Sequence, residues 1–278
     1  MENNQEKLKP PIFIGGIPKS GTSLIRTLVG LHPSIYGGDG FETNWFSDDF
    51  LNNWKNPNSK KQEWLRKWHN VKIEEYHIIK NNSSSGVNYF NNFMNYCTIR
   101  GKKYRWIEKS TDNLSNYDMI DNHWSNFIFI NCLRDYKDIY ASWKSKSTGT
   151  LMNYDVYQFV DRVKKSYTSI LGSTFKGNSN YIEIKYEDIV TNTEINLKKI
   201  INFIDEEWID GLHNFRGNPK ELKKVKKIIQ SKGSKTSESL SKPIFTTSIN
   251  QWHNILNNVE IDVINNELGD LYLTFLNK

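Results

Sequence analysis

The 278-residue chain contains only two cysteines, Cys97 and Cys132, and their separation fits no metal-ligand pattern. A disulfide-stapled scaffold is excluded on that count, and free thiols in a reducing compartment are expected. No apolar run is long enough to cross a membrane, and Met1 to Lys9 is polar, without the layout of a signal peptide. A cytoplasmic location is the expectation. No RNA- or DNA-binding motif is visible. The net charge of +6 is scattered along the chain, which suits an anionic small ligand or an acidic substrate more than nucleic acid. The basic run from Lys220 to Lys227 reads as a solvated helix face.

The most informative stretch runs from Ile12 to Val29. Ile12 to Ile14 reads as a buried strand and is followed by a Gly/Pro/Ser turn. Leu24, Ile25, Leu28 and Val29 then recur at helical spacing. A strand, a glycine turn and a helix N-terminus make an anion cradle, because backbone N–H groups and the positive end of the helix dipole converge there. Lys19, Ser20, Gly21, Thr22 and Ser23 supply a charge, hydroxyls and backbone to a phosphate or sulfate group. What this loop lacks is the lysine of a nucleoside-triphosphate site. Gly16 and Gly21 have the spacing of that motif, but Thr22 occupies the lysine position and Lys19 lies ahead of the second glycine. Mg²⁺-assisted triphosphate chemistry is therefore disfavoured.

Strands and helices alternate through the rest of the chain. They predict an α/β fold, P-loop-like, with three α/β/α layers, a central parallel sheet and helical insertions, in a single domain over residues 1–278 with a polar tail over 1–10. Ile35 and Tyr36 suggest a short strand. Glu42, after a glycine-rich bend and among aromatic residues, is a candidate general base. His32, before Pro33 at a helix end, reads as a satisfied structural group. Residues 48–100 read as mostly helical, with Trp54, Trp64, Trp68, Tyr76 and Phe93 as packing residues and a loop near 81–86. Tyr104 to Lys109 reads as a strand that places Lys109 where open α/β sheets hold their ligands, and Ser110 to Asn113 looks like a helix cap. Asn126 to Leu133 is the clearest strand. Arg134 stands at its end, with Ser142 and Lys146 in and after the helix that follows. Tyr181 to Val190 reads as a strand entering a helix, Asp155 to Leu171 and Val259 to Phe275 as amphipathic helices, and Ser231 to Lys242 as a Gly/Ser-rich loop.

Gly16 to Ser23, with His32 and Pro33, resembles the 5′-phosphosulfate loop of sulfotransferases that use 3′-phosphoadenosine 5′-phosphosulfate (PAPS). The tyrosylprotein type is the most similar. The resemblance implies transfer of a sulfuryl group to a hydroxyl of a small molecule, carbohydrate or peptide, with 3′,5′-adenosine bisphosphate as product and no metal. It implies Glu42 as base and Lys19, Lys109 and Thr236 as stabilisers of the transfer. Lys19 to Ser23 would hold the 5′ end, Arg134, Ser142 and Lys146 the 3′-phosphate, and Tyr186 the adenosine, with Thr236 also touching the cofactor. Residues 48–100 would shape the acceptor side. Gln251 stands where those enzymes carry a lysine or arginine. A degenerate-loop kinase and a non-catalytic nucleotide-binding module are the alternatives, and the oligomeric state is open.

Overall fold

The computed structural model describes residues 8–37, 42–145, 153–172, 179–217, 240 and 242–276. Among them lies a five-stranded, wholly parallel sheet in the order β2-β3-β1-β4-β5. Its strands are β1 (Ile12–Gly16), β2 (Ile35–Tyr36), β3 (Arg105–Lys109), β4 (Ile128–Leu133) and β5 (Tyr181–Lys185). Every residue of β1, β3 and β4 is buried, as expected of a parallel sheet covered on both faces.

Period-2 alternation divides the core into two chemically different halves. Ile12, Ile14, Ile107, Ile128, Ile130 and Ile184 face an aliphatic layer completed by Leu24, Ile25, Leu28 and Val29 of α1 (Thr22–Gly30) and by Leu197, Ile200 and Ile201 of α10 (Thr193–Phe203). Phe13, Trp106 and Phe129 face the opposite layer, which is aromatic. There Phe13 meets the edge of Trp106 at 5.2 Å and of Trp124 at 4.9 Å, and Trp45 stacks on Phe90 at 5.7 Å. Rings in such offset and edge geometries add specific attraction to the burial of their area.

Between β2 and β3 the chain builds α2 (Asp48–Leu51), α3 (Lys60–Trp68), α4 (Ile73–Asn81) and α5 (Gly86–Arg100) on the aromatic side, matching the helical reading of residues 48–100. Ser59 and Ser85 cap α3 and α5 by accepting from Gln62 and Asn88 N–H. Trp54, Tyr76 and Phe93 are buried, whereas Trp64 and Trp68 are half-buried and stack on each other. After β3 come a 3₁₀ turn (Thr111–Asn113) and α6 (Tyr117–His123). The chain then passes through α7 (Tyr136–Lys144), α8 (Val156–Gly172), α9 (Tyr186–Thr191) and the closing α11 (Asn258–Leu276).

Two expectations need correction. The strand does not stop before the glycines: β1 continues through Gly15 and Gly16, which pair with Asn131 and Cys132 of β4. Ser110 does not cap a helix, because its Oγ donates to Glu108 inside the protein. His32 is structural as read, with Nδ1 2.6 Å from Ser34 Oγ and Nε2 2.9 Å from the Glu207 carbonyl oxygen. Both cysteines are free and buried.

One buried group gives the fold an acid-sensitive seam. Tyr36 Oη of β2 lies 2.7 Å from His69 Nδ1, joining the helical insertion to the sheet edge. Burial, aided by the nearby Arg100 cation, lowers the His69 pKa from 6.5 to about 4. Below pH 6.5 the unfolded chain takes up a proton that the folded one refuses, so stability falls with pH until about pH 4. The full window corresponds to about 3 kcal/mol. Urea unfolding across these pH values should show that slope for the wild type and a shallower one for His69→Asn. Equal slopes would rule out the assignment.

Candidate active site

The strand order lines up the carboxyl ends that carry chemistry. Lys109 ends β3, Gly16 ends β1, Arg134 follows β4 and Tyr186 follows β5, so four adjacent strands deliver them to one edge of the sheet. This is where open parallel sheets bind their ligands.

The loop between β1 and α1 is shaped from outside by hydrogen bonds to its carbonyls. Ser20 N–H donates to the Ile17 oxygen at 2.9 Å, and Trp143 Nε1 to Pro18 at 2.8 Å. Arg134 Nη1 donates to the Lys19 oxygen at 2.9 Å, while the Gly21 oxygen accepts from Leu24 and Ile25 N–H. A trans peptide points its N–H opposite its C=O. Pinning Pro18 and Gly21 oxygens to the body therefore turns the Lys19 and Thr22 N–H groups the other way. The N-terminus of α1 has no acidic residue in its first turn and no side-chain cap, leaving its positive end for an anion.

Three backbone positions take conformations that most residues avoid, Gly16 at φ 150°, Lys19 at 82° and Gly21 at 96°. At Gly16 a Cβ would lie 2.6 Å from Ser20 Oγ, and at Gly21 it would strike the Tyr186 ring at 2.5 Å. Lys19 tolerates a left-handed conformation that costs a non-glycine residue about 1 kcal/mol. The Arg134 and Trp143 hydrogen bonds on either side of it supply the compensation. Ser20 is completely buried, yet its Oγ has no hydrogen-bond partner among the described residues. A buried hydroxyl without a partner at the mouth of a helix fits an absent oxyanion.

Beside the loop, Arg134 is 5% exposed and lies over the Tyr186 ring at 4.5 Å. Its Nη2 donates to the Ser248 carbonyl at 2.6 Å, and Tyr186 Oη contacts Ser248 Oγ at 2.7 Å. The guanidinium thus buckles the glycine loop to the segment before Trp252, a tie that sequence spacing does not reveal. Its Nε has no partner among the described residues. Ser142 is half-buried in α7. Gln251 is a brace rather than a basic contact, for its side chain donates to the Asp138 carbonyl at 3.0 Å. Lys146 and Thr236 lie outside the described residues.

On the other side of β1, Lys109 is 4% exposed and its Nζ is paired with Glu42 Oε1. The two predicted chemical groups, 67 residues apart, are in contact. Sequence reasoning missed the residues beneath them. Glu108, Thr43, Ser110 and Asn113 form a buried polar cluster, and the signal was a lone carboxylate inside the otherwise inward-facing strand β3. Asp138 was also missed. Buried in α7, it accepts from Asn250 N–H at 2.8 Å and Trp252 N–H at 3.2 Å, and burial raises its pKa against those donors.

Residues 10–210 match the model of the sulfotransferase family. The chain is 23% identical over 257 residues to protein-tyrosine sulfotransferase A of Caenorhabditis elegans, covering 90% of this chain and 63% of that protein. It is 23% identical over 250 residues to the protein-tyrosine sulfotransferase of Drosophila melanogaster, covering 87% and 47% respectively. The chain thus spans about half to two thirds of the length of these curated relatives. The sulfotransferase domain of the Synechococcus PCC 7002 olefin synthase superposes with a TM-score of 0.66 at 18% identity, over 99% of this chain and 98% of that one. The sulfotransferase domain of the curacin biosynthetic pathway gives 0.55 at 15%, over 95% and 98%. At these identities the two structures share the fold.

Gly21→Ala combines a forbidden φ with a ring clash. It should lower the unfolding free energy by roughly 1–3 kcal/mol. Gly172→Ala, with open space around its Cβ, should be close to neutral in the same urea titration. Equal effects would mean that the Gly21 contact with Tyr186 does not constrain the loop.

Proposed function

The chain belongs to the sulfotransferase family, and on that premise we propose that it moves a sulfuryl group from 3′-phosphoadenosine 5′-phosphosulfate to an acceptor hydroxyl. The observation that carries this reading is the Glu42–Lys109 contact one strand away from the anion-ready loop. Bound there, the phosphosulfate supplies an electrophilic sulfur and a phosphate leaving group. Lys19, Ser20, Gly21, Thr22 and Ser23 hold its 5′ end, Tyr186 faces the adenosine, and Arg134 with Ser142 receives the 3′-phosphate. Lys146 and Thr236 complete the two ends in this reading.

Glu42 takes the proton of the acceptor hydroxyl as the new O–S bond forms and the S–O bond to phosphate breaks. Lys109 lies against that carboxylate before the reaction. Protonating Glu42 removes the charge holding the ammonium, just as negative charge grows on the departing phosphate oxygen. One fixed cation can then serve both ends of the transfer, and it does so where water is scarce. Lysines and oriented N–H groups thereby fill the role that Mg²⁺ has in triphosphate sites. Glu42 is 39% exposed at its side chain, so an acceptor can reach it. The names of the tyrosine-specific relatives support peptide tyrosine as the first acceptor to try.

Two measurements test the proposal. A ligand that binds only the folded state stabilises by mass action, about 2.7 kcal/mol at a hundredfold excess over Kd. Adenosine 3′,5′-bisphosphate should raise the melting temperature and ADP with Mg²⁺ should not, and Arg134→Ala should lose the effect. A shift with ADP and Mg²⁺ alone would favour a kinase instead. Glu42→Gln should lower kcat by about 10² or more, the range of general-base catalysis, while bisphosphate binding persists. Unchanged turnover would remove Glu42 from the mechanism.

A further inference from the structure

Glu108 is a carboxylate with almost no solvent exposure, next to the lysine assigned to the chemistry. Its Oε1 accepts from Thr43 Oγ1 at 2.9 Å, from Thr43 N–H at 3.3 Å and from Ser110 Oγ at 2.7 Å. Its Oε2 accepts from Asn113 Nδ2 at 2.6 Å. Burial pushes its pKa up, and these donors oppose that push. The donors come from places that must be held in register. Thr43 follows Glu42, and Ser110 follows Lys109 and also accepts from Asn44 N–H at 3.3 Å. Asn113 donates to the carbonyl of Ile14 in β1 at 3.0 Å and accepts from Trp45 Nε1 at 3.1 Å.

The result is a two-rung ladder between the 42–43 segment and the end of β3. The outer rung is Glu42 with Lys109, and the inner rung is Thr43 with Glu108. The outer rung is open to solvent on its Glu42 side, and a partly exposed ion pair alone does not fix two long side chains. The inner rung has no solvent to compete with it, and the donors that hold Glu108, from Thr43, Ser110 and Asn113, sit on short side chains. We propose that Glu108 is a positioning residue for the sulfuryl transfer, holding Glu42 and Lys109 in register through Thr43, Ser110 and Asn113. The catalytic part of this inference rests on the transfer reading given above, whereas the geometric part does not.

The substitutions follow from the donor inventory. Glu108→Gln keeps the shape but replaces one acceptor oxygen with an NH₂ group, which faces a donor in either orientation, Asn113 Nδ2 or Thr43 N–H. Thr43→Val keeps the shape and removes the hydroxyl, while Thr43→Ser retains it. Acylation of lysines by acetic anhydride, read by mass spectrometry, reports the geometry without any substrate. Lys109 should be protected in the wild type and label at least fivefold faster in Glu108→Gln and Thr43→Val. It should stay protected in Thr43→Ser, with Lys144, paired to Glu260, as the internal control for global unfolding. Lys109 labelling unchanged in both Glu108→Gln and Thr43→Val overturns the proposal.

Turnover of PAPS with a tyrosine peptide then separates positioning from general support. In Glu108→Gln, kcat should fall at least tenfold with KM for PAPS within threefold. In the Glu42→Gln background the same substitution should cost clearly less than in the wild type, because one of the two groups it positions is already disabled. A further tenfold loss in that background, or a rise in KM with kcat unchanged, overturns the role. If wild type turns over no acceptor, the transfer reading fails while the labelling result still decides whether Glu108 holds the pair.

Discussion

Everything at the carboxyl edge of the sheet depends on which way four peptide carbonyls of one loop point. Ile17, Pro18, Lys19 and Gly21 each have their oxygen engaged. Two of the donors are side chains from β4 and α7, Arg134 and Trp143. A loop of this kind cannot choose its conformation locally, since Lys19 sits in a region that its own side chain disfavours. The strand that ends in Arg134 must be in place before the cradle exists. The shape of the loop is therefore a product of the β1–β4 pairing and not of the glycine motif alone.

The same logic recurs in two buried carboxylates. Glu108 and Asp138 are both withdrawn from water, a costly placement unless every lone pair is served. Both accept backbone N–H groups from segments outside the sheet and the long helices, Thr43 in a loop in one case and Asn250 with Trp252 at the start of a 3₁₀ turn (Gln251–Asn254) in the other. Secondary structure cannot hold such segments, so an acceptor planted on the rigid β3 end or on α7 does it instead. One segment bears Glu42 and the other the Ser248 carbonyl that Arg134 grips. In both cases a stiff element fixes a flexible one within hydrogen-bond reach of a charged group, which is the requirement for a site preorganised toward an anion.

Much of this was legible in the sequence because it follows from periodicity. Ile12 to Ile14 and Ile128 to Leu133 read as strands since buried parallel strands are continuously apolar. The helices from 48 to 100 were visible from their spacing. Lys109 and the glycine loop emerged from their position at strand ends, and Arg134 from the family resemblance. The partnerships of charges were not legible, because a hydrogen bond across 50 or more residues leaves no local pattern. Glu108 looks like one more charge beside Lys109, and Asp138 like one more polar residue in a mixed helix. Gln251, set against the basic residue of the resembling enzymes, is explained by its contact with Asp138, a partner that only the fold supplies.

The division of the core into an aliphatic and an aromatic half has a functional corollary. Helices α1 and α10 pack on the aliphatic side, whereas the insertion between β2 and β3 packs on the aromatic one. Trp45, three residues beyond Glu42, is fully buried in that aromatic layer against Phe90 and Trp124. Glu42 thus follows the packing of the helices between β2 and β3, while Lys109 is fixed by the register of β3 on β1. A chain built this way can repack residues 48–100 and shift Glu42 without disturbing the glycine loop. The limit on such drift is the Glu108 cluster, which joins the two halves at the point where Thr43 meets β3. The segment that carries Glu42 and the helix that follows the glycine loop are thereby held by different layers of one sheet.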